Sequence, residues 1–170
     1  MNNQKMIAEK DRNNKEIVLE DVKNYGQALE YASDKLKDNF VVVLTAVNQD
    51  GEALAYASPR FRDDKDMVLT AVRQDGWAFR YASKELRDNK ELVLEAIKQY
   101  GCALGYASRR LRKDKEVVLE AVKQNGMALE YASYKFRNNK EIVCVAMNEN
   151  LEAVRFSSPR IKKIILSKLS

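Results

Sequence analysis

The stretch from Asp114 to Asn138 reads DKEVVLEAVKQNGMALEYASYKFRN, and closely related versions of it fill most of the chain. Its glycine recurs with a period of 25 residues and no insertions, and a Tyr-Ala-Ser triplet starts five residues after each glycine. Such a period is the signature of a stacked repeat protein, because one short unit cannot bury its apolar face alone. The glycines are Gly26, Gly51, Gly76, Gly101 and Gly126, and a sixth, degenerate copy has Leu151 in this place.

Two helical segments are predicted in each repeat. In the quoted copy Asp114 is a good N-cap, and Val118, Leu119 and Val122 follow at helical spacing as one apolar face. This pattern predicts a first helix of about 11 residues. We expect Gly126 to take the left-handed conformation with which many helices end.

The second segment follows at once, and its expected length is about 6 to 8 residues, too short for an independent helix. Tyr131 is assigned to its inward set, so that the repeated tyrosines would form an aromatic row between layers. Ser58 precedes Pro59, which suits the first position of a helix, so Ser58 is expected to cap a further helical or 3-10 turn. We infer the same turn at the matching serines, which are Ser33, Ser83, Ser108 and Ser133.

The two ends of the array depart from the repeat. Residues 1–13 align with the second half of a unit, with Met6 in the tyrosine place and Arg12 in a repeated basic place. At the other end an apolar stripe, backed by lysines, predicts a capping helix, and a helix lying on a membrane surface is the alternative. The stripe consists of Ile161, Ile164, Ile165 and Leu169.

These patterns together predict an all-α fold, a right-handed α-solenoid of six tandem 25-residue two-helix repeats with terminal caps. We expect a single repeat domain over 1–170. It comprises an N-terminal half-repeat at 1–13, six repeats at 14–163 and the end of a capping helix at 164–170.

The elements VLxAVxQxG and ALxYAS resemble a family of short helical repeats known as a domain of unknown function, which occurs in bacterial, protist and large-virus proteins. The resemblance extends from about Asn14 to Lys162, and it implies an all-α array without supplying an activity. The chain departs from the family pattern at Asp21, Cys144 and Leu151, near the two ends, which favours capping roles there.

Composition narrows the possible functions. The chain has no histidine, which removes the commonest general base and metal ligand, and its net charge of +5 permits acidic partners without requiring them. Cys102 and Cys144 fit no metal spacing, and no phosphate-binding loop is present. We therefore expect no enzyme, no cofactor and no metal. The absence of an apolar segment or signal peptide favours a cytoplasmic protein that does not enter membranes, and delivery into another cell stays open.

Three places vary between repeats, and stacking would align them as one surface stripe. They are the residue after the glycine, the residue three further on, and the residue after the serine. Large apolar, aromatic and arginine side chains in this stripe predict recognition of a protein partner. We expect the protein to be a monomer rather than an oligomer. The alternative is that Trp77 and Met127 fold down as extra core. The candidate residues are Trp77, Arg80, Lys84, Cys102, Arg109, Met127, Glu130 and Tyr134.

A second row is constant and basic. Stacked helices lie about 8–10 Å apart, so the row would offer a cation to a nucleic acid or another polyanion at each layer. The alternative is a solvated row, or one paired with neighbouring acids for structural reasons. These residues, called the basic ladder below, are Lys37, Arg62, Arg87, Arg112, Arg137 and Lys162.

Overall fold

The computed structural model describes residues 7–167 of the chain, apart from the side chain of Leu166. Within this range every regular element is an α-helix or a 3-10 helix, and no strand occurs. The predicted all-α tandem repeat is therefore confirmed. Each repeat runs through a ten-residue α-helix, a six-residue 3-10 helix and, before the next repeat, a short helical turn.

The long α-helices begin directly after an Asn or Asp whose side chain accepts hydrogen bonds from the first turn, as Asp114 does from the amides of Glu116 and Val117. Their buried residues are the apolar ones at helical spacing, such as Val118 and Val122. These helices span Lys15–Asn24, Phe40–Gln49, Lys65–Gln74, Lys90–Gln99, Lys115–Gln124 and Lys140–Glu149.

The second segment of each repeat is a 3-10 helix rather than an α-helix, and its six residues match the predicted length. These helices span Gly26–Tyr31, Gly51–Tyr56, Gly76–Tyr81, Gly101–Tyr106, Gly126–Tyr131 and Leu151–Phe156. The turns that follow are Asp34–Lys37, Pro59–Arg62, Leu86–Asp88, Leu111–Lys113 and Tyr134–Arg137, and Pro159–Leu166 is a longer final α-helix.

The chain forms two compact units, residues 1–86 and 87–170. In the first unit the long helices of successive repeats pack against each other, and the 3-10 helices pack in a parallel row. The second unit repeats this arrangement. In both units the core lies between the two rows and consists of side chains such as Leu54, Phe79, Leu104 and Leu129.

The expected left-handed glycine is wrong, because no described residue has a positive φ. The α-helix ends instead at an extended residue, Asn125 in repeat 5, whose side chain accepts a hydrogen bond from the Met127 amide. Glycine is needed for close packing: a Cβ on Gly51 would lie 2.5 Å from the Ala71 carbonyl oxygen of the next repeat. In repeat 6 no further long helix covers this place within the described residues, and Leu151 is 72% exposed.

The tyrosines were also placed too deep by the sequence pattern. Tyr131 is 36% exposed, and Tyr31, Tyr56, Tyr81 and Tyr106 are half-buried. The reason is that the short 3-10 helix turns Ala and Leu inward and leaves the tyrosine ring at the edge of the repeat.

The serine of each Tyr-Ala-Ser triplet is hydrogen-bonded to the segment that precedes its repeat. The Ser133 amide donates a hydrogen bond to the Arg112 carbonyl oxygen at 3.1 Å, and Ser33 makes the same bond to Arg12 at 2.8 Å. The serine therefore begins the short turn, as expected, and also fixes the stacking of repeats.

The predicted end caps are only partly described. Met6 and Leu169 lie outside the described residues. Ile161 and Ile165 of the final helix are buried, as the stripe predicts.

Candidate functional site

The exposed side of the 3-10 helices and following turns, called the 3-10 face here, carries most of the variable side chains. The residue after the serine is exposed in every repeat, whereas the residue after the glycine is half-buried in repeats 1–5. The residue after the serine is therefore the most accessible of the three variable places. Tyr134 is the clearest example, with 63% of its surface exposed.

One concavity on this face lies within the second unit and has a volume of about 820 Å³. We call it the repeat 4–5 cleft. It brings together three predicted partner-binding residues and two members of the basic ladder. Its lining residues are Arg109, Arg112, Lys113, Glu130, Tyr131, Ala132, Ser133, Tyr134, Lys135 and Arg137.

The first unit has a cleft at the corresponding positions of repeat 1, with a volume of about 510 Å³. We call it the repeat 1 cleft. It differs from the other cleft in charge, because two carboxylates accompany its two cations. Its lining residues are Arg12, Glu30, Tyr31, Ala32, Ser33, Asp34 and Lys37.

Trp77 and Arg80 form a separate cluster in the first unit. The Arg80 guanidinium lies 5.1 Å from the Trp77 ring centroid and 4.6 Å from that of Tyr81. It also forms an ion pair with Glu52 at 3.3 Å. Trp77 is half-buried beneath this arginine, so both side chains already have packing partners. Lys84, the third predicted partner-binding residue of the same unit, is exposed.

Cys102 and Met127 are half-buried, and neither lines the repeat 4–5 cleft. Burial raises the pKa of the Cys102 thiol, although a hydrogen bond with Tyr100 acts in the opposite direction. A raised pKa disfavours the thiolate, so Cys102 lacks the activation expected of a nucleophile.

Most residues of the basic ladder are not held by ion pairs in the way that a structural row would require. Lys37, Arg62, Arg112, Arg137 and Lys162 form no ion pair with any described residue. The Nε atoms of the three arginines in this group are buried and have no hydrogen-bond partner within residues 7–167. These three arginines are therefore held by packing rather than by acids.

The ion pairs occur in a neighbouring column instead. Arg60 Nε lies 2.5 Å from the Asp38 carboxylate, which also accepts a hydrogen bond from Ser58 Oγ. The Ser58 bond, then the Arg60 bond, lowers the pKa of Asp38. The Ser108, Arg110 and Asp88 side chains form the same triad one unit later, and the pKa of Asp88 is lowered for the same reasons.

This arrangement fails at one place that the sequence reasoning missed. Lys113 occupies the position of Asp38 and Asp88, so Ser133 faces no carboxylate. Its buried Oγ has no hydrogen-bond partner in the described part of the chain. The signal is visible in the sequence: the residue 20 before the serine is Asn13, Asp38, Asp63, Asp88 and Asn138 in the other copies.

No helix of the described residues combines the length and apolar character needed to cross a membrane. Comparison with curated proteins and with solved structures gave no match. Comparison with protein families gave one family, described as a domain of unknown function, DUF4116. It matches residues 14–62, 42–87, 64–112, 89–137 and 114–162, which together cover most of the chain. With its all-helical 25-residue repeats and these overlapping matches, the chain belongs to the DUF4116 family.

Proposed function

We propose that this protein is a non-enzymatic binding protein that recognises a protein partner through its 3-10 face, chiefly at the repeat 4–5 cleft. One observation carries the proposal: Arg109, Glu130 and Tyr134, at places that differ between repeats, line the same concave surface. Arginine and tyrosine are prominent among the residues that dominate binding energy.

The scaffold behind this surface supports the proposal. Leu111, Leu129 and Phe136 are buried directly beneath the cleft-lining segments, and the amide of Ser133 is bonded to the preceding repeat. A surface fixed in this way loses little conformational entropy on binding. Affinity then depends mainly on the exposed side chains.

The chemistry of the surface favours binding over catalysis. The cleft contains one carboxylate, Glu130, and several cations, but no histidine or cysteine. Since the Cys102 thiol has a raised pKa, the chain offers no activated thiolate nearby. A binding role needs none of these groups.

A pull-down from cells of the native host tests the proposal. Immobilised wild type is compared with the double variant Arg109→Ala/Tyr134→Ala, and bound proteins are quantified by mass spectrometry. We expect a specific partner whose affinity falls about tenfold or more in the double variant. The matched control is Lys123→Ala, which removes an exposed side chain from a long helix. Equal retention by wild type and double variant would contradict the proposal.

Polyanion binding along the basic ladder is a second candidate. It is favoured by Arg62, Arg112 and Arg137, which lack ion pairs with any residue of the described range. It predicts binding to mixed DNA and RNA that weakens steeply with salt and falls in Arg112→Ala/Arg137→Ala. Fluorescence anisotropy at two salt concentrations measures this, and no binding at low salt eliminates the candidate.

A further inference from the structure

We propose that the repeat 4–5 cleft binds the phosphate group of a phosphorylated side chain in a protein partner. This inference rests on the proposed function and names the chemistry of the partner. It starts from the serine, arginine and aspartate triads, which show what occupies this position of the repeat around Asp38 and Asp88.

The triads place a carboxylate between a serine hydroxyl and a basic side chain. Ser58 Oγ and Arg60 Nε both donate to Asp38 Oδ1, each at 2.5 Å. In the second unit Ser108 Oγ donates to Asp88, and Arg110 Nε lies 3.1 Å from the same carboxylate. The position therefore receives an anionic oxygen from the protein in these repeats.

Repeat 4 reverses the charge at this position. Lys113 replaces the aspartate, while Ser133 and Lys135 keep the serine and basic places. The ammonium of Lys135 lies 5.8 Å from the Phe136 ring centroid and forms no ion pair within the described residues. Lys113, Ser133 and Lys135 line the same cleft, and Ser133 Oγ has no acceptor among the described residues, so an oxyanion from outside can complete the arrangement.

The basic ladder increases the positive charge at the same place. Arg112 and Arg137 line the cleft, their Nε atoms are buried without a hydrogen-bond partner, and Arg109 lies at the rim. Glu130 is the one carboxylate of the lining. A phosphate monoester suits this excess of donors better than a carboxylate, because it carries nearly two negative charges and three acceptor oxygens.

The repeat 4–5 cleft has a larger excess of cations over carboxylates than the repeat 1 cleft, and this local difference favours a phosphoprotein over a nucleic acid. The repeat 1 cleft has the same backbone positions but contains Glu30 and Asp34, and Asn13 accepts a hydrogen bond from Ser33 Oγ at 3.0 Å. A polyanion would use the basic ladder, which has a cation in every repeat, and would not need this local excess. One basic cleft flanked by the rings of Tyr131 and Tyr134 suits a single phosphate with neighbouring peptide side chains.

The test uses the full chain and fluorescein-labelled peptides of alanine and glycine that contain phosphoserine or phosphotyrosine. Unphosphorylated twins, inorganic phosphate as a competitor and an oligothymidylate complete the set of probes. We expect saturable anisotropy changes with a phosphopeptide, none with its twin, and displacement by inorganic phosphate. Equal binding of a peptide and its twin would overturn the proposal, as would oligothymidylate binding with no phosphopeptide binding.

Lys113→Asp is the decisive variant, because it restores the residue found in repeats 1–3 and supplies Ser133 with an internal acceptor. Phosphopeptide affinity should fall about tenfold or more, since one charge-assisted contact is replaced by repulsion. Lys15→Asp makes the same change in net charge outside the cleft and should bind like wild type. Ser133→Ala keeps every cation and should bind the phosphopeptide more weakly than wild type. It replaces Lys113→Asp as the test if that variant does not fold. Unchanged affinity in the folded cleft variants would refute the proposal.

Phosphatase treatment separates this inference from the proposed function. If a partner binds wild type and Lys113→Asp equally, before and after dephosphorylation, protein recognition stands and the phosphate site falls. If phosphopeptides bind in a Lys113-dependent manner but no host protein depends on Arg109 and Tyr134, the phosphate site stands and the proposed recognition surface falls.

Discussion

Gly126 lies directly beneath the carbonyl oxygen of Ala146, one repeat later, so closely that a methyl group at Gly126 would overlap with it. Since backbone carbonyl positions are fixed by the long helix, the overlap cannot be relieved by a side-chain rotation. The glycine therefore sets how closely two repeats stack.

Gly126→Ala should lower the free energy of unfolding by about 1–3 kcal/mol, the usual cost of overpacking. Gly105→Ala is the matched control, because its Cβ would meet the ring of the partly exposed Tyr131, which can shift. Urea unfolding followed by circular dichroism measures both. Gly126→Asn distinguishes the causes: a left-handed cap tolerates asparagine, whereas close packing does not. A fully stable Gly126→Asn variant would therefore restore the left-handed interpretation.

Ser108→Ala and Ser133→Ala should have different effects although they alter equivalent serines. Ser108 Oγ donates to Asp88 and accepts from the Leu111 amide at 3.2 Å, so its loss should cost about 1 kcal/mol, the usual value for a helix N-cap. Ser133 Oγ has no partner in residues 7–167, so its loss should be neutral or stabilising. Equal destabilisation in urea unfolding would contradict the assigned bonds.

The pKa of Asp88 provides an independent check on the same triad. The hydrogen bond from Ser108 is the main cause that lowers this pKa, followed by Arg110. A lowered pKa adds stability above the unfolded value, about 3.9, and this contribution is lost as pH falls through the folded pKa. Ser108→Ala should raise the pKa of Asp88 in a carboxyl NMR titration, and Ser133→Ala should leave it unchanged. No difference between the variants would rule out the serine bond as the main cause.

Trp77 and Arg80 should stabilise each other, because the guanidinium lies over the indole ring. Trp77→Ala should lower the free energy of unfolding by about 1–2 kcal/mol through lost burial and the lost cation–π contact. Since Trp77 is the sole tryptophan, Arg80→Ala should also shift its fluorescence emission to longer wavelength. Glu52→Gln is the control, because it weakens only the ion pair of Arg80 and should shift the emission less than Arg80→Ala does. If Trp77→Ala keeps full stability but loses a partner, Trp77 belongs to the recognition surface instead.

Tyr100 should ionise at a higher pH than an ordinary tyrosine. Burial, and then the neighbouring Cys102, raises the pKa of Tyr100 to about 12. A raised folded pKa gives stability that is complete below the unfolded value, about 10, and is lost as pH rises towards 12. Phenolate absorbance measured during an alkaline titration should lose a late step in Tyr100→Phe. A titration curve without a late step in wild type would contradict the assignment.

Much of the fold could be predicted from one chain because its copies can be compared with each other. Positions that hardly change, such as Val118 and Leu129, proved to be buried, and the Asn or Asp before each long helix proved to be its cap. The glycine was correctly identified as a boundary but assigned the wrong cause. Its sequence position is the same whether it adopts a left-handed conformation or lies beneath a carbonyl group of the next repeat.

The candidate site was less predictable. Arg109, Glu130 and Tyr134 were identified by their variation, and Arg112 and Arg137 by their constancy, but these two sets were treated as separate surfaces. They meet in one cleft because the short turn of repeat 4 lies beside the 3-10 helix of repeat 5. Lys113 was missed because its importance depends on Ser133, which is 20 residues away in the sequence.

The sequence by itself determined the all-helical repeat, its period, its caps and its apolar core, because periodicity and capping are local properties of the chain. Only the tertiary structure decided that the tyrosines reach the surface, that Trp77 lies under Arg80, and that Ser133 Oγ has no hydrogen-bond partner among the described residues. Those outcomes depend on distances between atoms of different turns and repeats, and these distances are set by packing.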